Sequence, residues 1–192
     1  MPSESAVTVL TALRLEAVAV GGVVVRMGMG HAKAAATGSR LAPTLVPGRP
    51  LAIVGIAGGL EPGLQPGQLV VADALHAPDD EDPLPLAHAA SVAGELRAIG
   101  RDVRVGAVAC STSIVHGAAR AELARGGALA VEMESVWLAR AVVDHPLVVV
   151  RAVGDTENHG FVSGNIKALM ALRGLRPALE TWARGLGARP AP

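Results

Sequence analysis

The sequence predicts an α/β fold in which a largely parallel sheet is covered by helices on both faces. Two observations carry this expectation. Runs rich in valine and isoleucine, which read as strands, alternate with alanine-rich stretches of helical period along the chain. The composition is 51% hydrophobic and 18% charged, with two tryptophans, one phenylalanine and no tyrosine. A core of such small side chains needs many close contacts, which a sheet sandwiched by helices supplies.

The elements follow in order. "AVTVLTAL" (6–13) is a short strand, and "AVAVGGVVVRM" (17–27) reads as strand, Gly-Gly turn, strand. "GMGHAKAAATGSRLAPTL" (28–45) opens in a turn and runs into a helix. "PLAIVGIAGGL" (50–60) is a buried strand ending in a glycine loop, "EPGLQPGQ" is turn chemistry, and "LVVADAL" (69–75) is the next strand. "HAPDDEDPLPLAH" (76–88), with three prolines and four acids, is expected to be a solvated loop or a flap beside a site. A helix at 86–100, a strand at 103–110 and a helix at 116–127 come next, each helix closed by glycine. "ALAV" (128–131) is a strand that passes through Glu132 and Glu134 into the helical "SVWLARAV". "HPLVVVRAV" (145–153) is a central strand, and a C-terminal helix over 165–187 is interrupted near Pro177, with a loose tail beyond. With no repeat, linker or composition shift, residues 1–192 read as one domain.

Bulk properties exclude several functions. Seventeen basic residues balance seventeen acidic ones, so there is no basic field for nucleic acid and there are no aromatic stacking platforms. Six histidines show no metal-ligand spacing, so a metal site is not expected. A single cysteine, Cys110, precludes an internal disulfide framework. No apolar run reaches the roughly 20 residues that span a bilayer, and the first residues lack signal-peptide character, so a cytoplasmic protein is expected.

Ligands of open α/β sheets sit beyond the carboxyl ends of strands, so chemistry is sought there. Five candidates lie at such ends: Glu16, the glycines of "GIAGGL", the "STSIV" segment after "AVAC", the pair Glu132 and Glu134, and Asp155. Each also has a plain structural explanation. An acid before a helix can cap it, and "GDTENHG" is good turn chemistry. "GMGHAKA" gives G-x-G-x-x-K, short of a dinucleotide fingerprint. Adjacent glycines in "GIAGGLEPG" would let a ligand approach bare backbone N–H groups, or simply make a tight turn. Cys110 near His116 is more in keeping with a buried thiol than a nucleophile. Ser111, Thr112 and Ser113 lack an evident paired base.

Taken in order, "GMGHAKAAATGSRL", "GIAGGLEPGLQPGQLVVAD", "AVEMES" and "VVVRAVGDT" resemble the nucleoside phosphorylase and nucleosidase superfamily. The likeness runs from about Val7 to Thr156 and is nearest the methylthioadenosine/adenosylhomocysteine nucleosidase branch. It implies a three-layer α/β/α sandwich with a twisted mixed central sheet. The implied activity is cleavage of the N-ribosidic bond of a purine nucleoside, adenine being the expected base, with no metal or organic cofactor. A homodimer is implied as well, since relatives complete the pocket with a neighbour's loop.

By the same resemblance Asp155 is the acid that meets the purine, its proton retained by burial. Glu134 accepts hydrogen bonds from the ribose hydroxyls, Met133 packs on the sugar, and Glu16 activates the attacking water. Arg151 lies by the acidic cluster. Ala57 and Gly58 supply backbone near sugar and base, and Ile114 and Val115 lie against the purine. Glu132 is supporting or structural.

The chain departs from that pattern in places. Few residues separate Glu16 from "VVVRMGMG", Ile56 and Gly154 stand where serine or threonine is common, and no aromatic lies near Ile114. The purine pocket should then be more open or more aliphatic. Phosphorolysis needs cations around the oxyanion, whereas Ile53 and Ile56 fill positions of arginine and serine in phosphorylases and only Arg26 could substitute. Hydrolysis is therefore favoured over phosphorolysis. "VHGA" and "MESVWLA" also resemble short phosphorylase-like proteins of hopanoid biosynthesis, which would put a bulky apolar group at the 5′ carbon. A catalytically degenerate nucleoside-binding module is the remaining alternative.

Overall fold

The computed structural model describes residues 5–78, 80–156 and 161–187. The first strand, β1 (Thr8–Thr11), leads into helix α1 (Arg14–Val20) and then β2 (Val24–Arg26). The strand expected over the start of 17–27 is thus a helix. Valine favours strands only where a pleated surface will bury it, and here the buried positions are Glu16 and Val20, four apart on one helical face, while Val18 is exposed. Glu16 also reaches back to accept the Leu13 N–H at 2.7 Å, satisfying a donor at the start of the helix.

Helix α2 (His31–Leu41) follows the "GMG" turn and ends in a short 3₁₀ turn. Strand β3 (Leu51–Gly59) runs straight through its glycines, so the loop expected there is the end of a strand. Strand β4 (Leu69–His76) is followed by a two-residue strand β5 (Leu84–Pro85), helix α3 (Ala89–Ala98) and β6 (Val103–Cys110). Then come α4 (Gly117–Arg125), β7 (Ala130–Glu132), α5 (Ser135–Ala139) and β8 (Leu147–Asp155). Two helices close the chain, α6 (Phe161–Leu172) and α7 (Arg176–Gly187). The interruption comes just before Pro177, which sits in the first turn of α7 where its missing N–H costs nothing. The turn expected after Thr156 and the tail at 188–192 lie outside the described residues.

The α/β class holds, with a mixed rather than largely parallel sheet. Strand β3 pairs in parallel with β1 and β8, and antiparallel with β7. Strand β4 pairs with β6 in parallel and with β5 and β8 antiparallel. Strand β6 pairs with β7, so β3, β8, β4, β6 and β7 close into a ring, with β1 and β2 extending from β3. The resemblance implied a twisted mixed sheet in a three-layer sandwich; the sheet is mixed, and its pairing closes because β8 is shared between β3 and β4 and because β3 pairs at its end with β7. Register shifts in β3–β8 and β4–β6 supply the added twist that closure demands.

The side-chain alternation of the strands sets two cores. Ala52 and Val54 of β3 join Val148 and Val150 of β8 beneath α3, α6 and α7, where Trp182 is buried. Leu51 and Ile53 face the opposite way and join Val149, Ala34 of α2 and Leu138 of α5. The carboxyl ends of β3, β6, β7 and β8 are thereby fixed from both sides. Among the described residues no helix is long and apolar enough to cross a membrane.

Candidate active site

At those carboxyl ends lies a cavity of about 290 Å³. Its wall includes Glu16, Ala57, Gly58, Ile114, Val115, Met133, Glu134 and Asp155. Carboxylates from three separate segments, Glu16 lying more than a hundred residues from the other two, are therefore brought to one space. Arg151 does not line it; the side chain is fully buried directly behind the acids. The described residues of segment 76–88 do not line this cavity, and Leu84–His88 instead border a second one beside Val142–Leu147. Its prolines and acids are those of a surface connection rather than a flap on the site.

The three glutamates are each held by backbone N–H groups. Glu16 accepts the Ile56 N–H at 2.8 Å with one carboxylate oxygen while the other takes Leu13. Glu134 accepts the Gly30 N–H at 2.7 Å, just ahead of α2. The glycine motif "GMG" thus serves a carboxylate of this chain. Glu132 accepts the N–H groups of Glu134 and Ser135 at 3.0 Å, the Ser135 hydroxyl at 3.2 Å and the Cys110 thiol at 2.8 Å. It caps the start of α5 and acts as a support, although one edge also borders the cavity.

Arg151 ties the cluster together. It forms an ion pair with Glu132, donates to the Ser135 hydroxyl at 2.8 Å and lies 3.8 Å from Glu134. Burial alone would lower its pKa, but Glu132, Glu134 and Glu16 together outweigh burial and hold it above the ordinary arginine value. Burial pushes the Glu134 carboxyl up from the usual glutamate range; Arg151 and the Gly30 N–H oppose this, and Glu132 and Glu16 add to it. Burial, with Glu132 beside it, also raises the Cys110 thiol well above its ordinary value, so it is no nucleophile.

Asp155 differs from expectation. Its side chain is 25% exposed and is met by Arg120 of α4, Nη1 to Oδ2, at 2.6 Å. Sequence reading missed Arg120, along with Met29, His116 and Asn165, which also line the cavity. Arg120 lies in an alanine-rich helix with no motif around it, and only tertiary proximity marks it.

The two departures at positions 56 and 154 are one change. In β3–β8 the register runs Ala57↔Val153 and then Gly58↔Asp155, so Gly154 is an extra, bulged residue that re-aims Asp155. A Cβ on Gly154 would collide with the Asn165 amide oxygen and with Ile56 Cγ2. The bulk of Ile56 therefore goes with the missing side chain at 154. Gly154→Ser alone is expected to cost about 1–3 kcal/mol by overpacking. Combined with Ile56→Ser, which removes the colliding Cγ2 methyl, it should cost at least about 0.5 kcal/mol less than the two single changes summed. Urea denaturation of the four proteins checks this, and strict additivity would refute the coupling.

Comparison with known proteins adds to this geometry. The profile of the phosphorylase superfamily matches residues 9–170. The chain belongs to the phosphorylase superfamily. It is accordingly an enzyme of the N-glycoside-cleaving kind. A relative in the superfamily, futalosine hydrolase of Streptomyces coelicolor, is 32% identical over an alignment covering 81% of this chain and 78% of that protein. The 5′-methylthioadenosine/S-adenosylhomocysteine nucleosidase of Campylobacter jejuni has the same fold, with a TM-score of 0.77 and 15% identity over 95% of this chain and all of that one. A futalosine hydrolase mutant of Helicobacter pylori superposes with a TM-score of 0.72, at 18% identity over 93% of this chain and 98% of that one.

Proposed function

We propose that this chain hydrolyses the N-ribosidic bond of a purine nucleoside, adenine being the base first expected. The observation that carries the reading is the convergence of Glu16, Glu134 and Asp155 on one cavity close to the size of small-ligand sites. Glu134, preorganised by Gly30 and Arg151, accepts hydrogen bonds from the ribose hydroxyls, and Met133 packs against the sugar. Glu16 takes the proton of a water that adds to the anomeric carbon as the base leaves. Asp155 meets the base edge with Oδ1, which accepts none of the described hydrogen bonds. Ala57, Gly58, Ile114 and Val115 form the remaining walls. The helices on either face are read as the outer layers of the superfamily's sandwich, the two opposed cores supporting this.

Water is favoured over phosphate on electrostatic grounds. The cavity wall sets three acids, besides Glu132, against one guanidinium, Arg120. Arg26 does not reach the wall. An oxyanion would meet net repulsion there. Met29 and Ile114, both on the cavity wall, leave apolar surface exposed, which supports a homodimer covering that edge and room for an apolar 5′ group. The one-domain and cytoplasmic readings go with it.

The relative at 32% identity makes futalosine a substrate to set beside methylthioadenosine. The test is incubation with 5′-methylthioadenosine, S-adenosylhomocysteine and futalosine, with and without phosphate, followed by chromatography. Free base with unphosphorylated sugar, at a rate indifferent to phosphate, is expected. Sugar 1-phosphate as product would mean phosphorolysis. Calorimetric binding of adenine without turnover of any nucleoside would mean a binding module.

A further inference from the structure

Arg120 has a geometry that its role as partner to Asp155 does not exhaust. Its guanidinium lies against the ends of two strands: Nη2 donates to the Gly59 carbonyl at 2.7 Å and to the Asp155 carbonyl at 3.1 Å, and Nη1 donates to the Asp155 carboxylate at 2.6 Å. A Cβ placed on Gly58 would stand 3.2 Å from Nη2 and 3.3 Å from Nη1, so the cation is laid flat on bare strand backbone. Three of its five N–H groups are thereby engaged. The second Nη1 hydrogen and the Nε–H are left for a ligand, on a residue that lines the cavity and is only 18% exposed.

We propose that Arg120 is a catalytic residue that stabilises the departing base as an anion, by donating a hydrogen bond to a ring nitrogen or exocyclic acceptor of the leaving heterocycle. The proposal rests on the nucleosidase reading above and assigns a residue which that reading does not use. When the C1′–N9 bond breaks, its electron pair goes to the base, whose charge spreads over the ring. A carboxylate alone beside that ring would oppose the charge. The fixed cation offsets it, because its three protein hydrogen bonds leave nothing to reorganise as charge develops. No proton need pass from Arg120: water loses its proton to Glu16, and the purine anion is protonated from solvent after release. Asp155 then acts as the anchor that holds the guanidinium against the base site and as an acceptor for any N–H on the base edge.

Leaving-group dependence tests this. The enzyme and its Arg120→Met and Arg120→Lys variants are compared on the nucleoside that the wild type cleaves fastest and on 4-nitrophenyl β-D-riboside, whose departing phenolate needs little help. Arg120→Met should lower kcat on the purine nucleoside by on the order of 10²-fold and on the nitrophenyl riboside by less than about threefold, with Arg120→Lys recovering part of the purine rate. Equal losses on both substrates would show that Arg120 merely holds α4 and Asp155 in place, and no loss on either would remove it from the chemistry; both results overturn the proposal. A wild type that cleaves neither compound would instead overturn the nucleosidase reading on which it rests.

Discussion

Arg151→Met is expected to lower the stability of the fold by about 3–5 kcal/mol, the usual cost of stripping one partner from a buried charge cluster. For a chain of this length that is a fall in Tm of roughly 6–20 °C. Methionine fills much the same volume, so the loss is electrostatic rather than a cavity. Glu132, Glu134 and Glu16 are all buried, and Arg151 is the cation set among them. Without it Glu132 loses its ion pair and Glu134 its nearest positive charge. The arginine is not ideally satisfied, since its Nε and Nη1 find no hydrogen-bond partner among the described residues. Part of its own desolvation therefore goes uncompensated, which places the expected loss toward the lower end of the range. The measurement is urea denaturation of wild type, Arg151→Met and the pair Arg151→Met/Glu132→Gln. The double variant should recover at least about 1 kcal/mol, because it removes a carboxylate that the single variant strands. A single variant within about 1 kcal/mol of wild type would mean that the cluster tolerates its acids unpaired.

The same cluster shows what sequence can and cannot reveal. The order of strands and helices is legible wherever apolar period and glycine or proline punctuation agree, as in β3, β4, β6 and α3. It fails at 17–20, where "AVAV" has strand composition but lies on a helix that carries Glu16 to its place. The convergence of Glu16, Glu134 and Asp155 could be anticipated because each stands at a strand end or beside one, and because the surrounding segments resemble a family. Ring closure is invisible in the sequence, since no local pattern says that β8 is shared between β3 and β4. Arg120 is hidden for a similar reason. An arginine on an alanine-rich helix reads as solvated, and only the meeting of α4 with the ends of β3 and β8 turns Arg120 inward. Gly55 is legible only afterwards: a Cβ there would collide with the Arg151 guanidinium and crowd Glu16 Oε1, so the site needs a bare backbone beneath its buried charges.

Glu134 should give activity and stability opposite pH trends. Burial raises its pKa above the ordinary 4.5. A group whose folded pKa is raised contributes stability that is fully present below its unfolded value, and the contribution is lost as pH rises through the folded value. Ionising Glu134 thus costs stability, while the grip on ribose hydroxyls requires the carboxylate as a double acceptor. In the free enzyme kcat/KM should accordingly fall on the acid side at a pH where an ordinary glutamate is still ionised. Over that same interval the protein should become more resistant to urea as far as this residue is concerned. Glu134→Gln supplies a neutral amide that cannot accept from both hydroxyls through two oxygens. Hydrogen bonds to a charged group contribute about 1.5–3 kcal/mol each, so losing one should reduce kcat/KM by about 10- to 10²-fold and losing two by more. The variant should also lose the elevated acid limb and be no less stable than wild type at neutral pH. The checks are pH profiles of kcat/KM and urea midpoints at acid and neutral pH for both proteins. If the acid limb stays where it was in Glu134→Gln, another group controls it, and the seam between β7 and α5 supports the fold rather than the substrate.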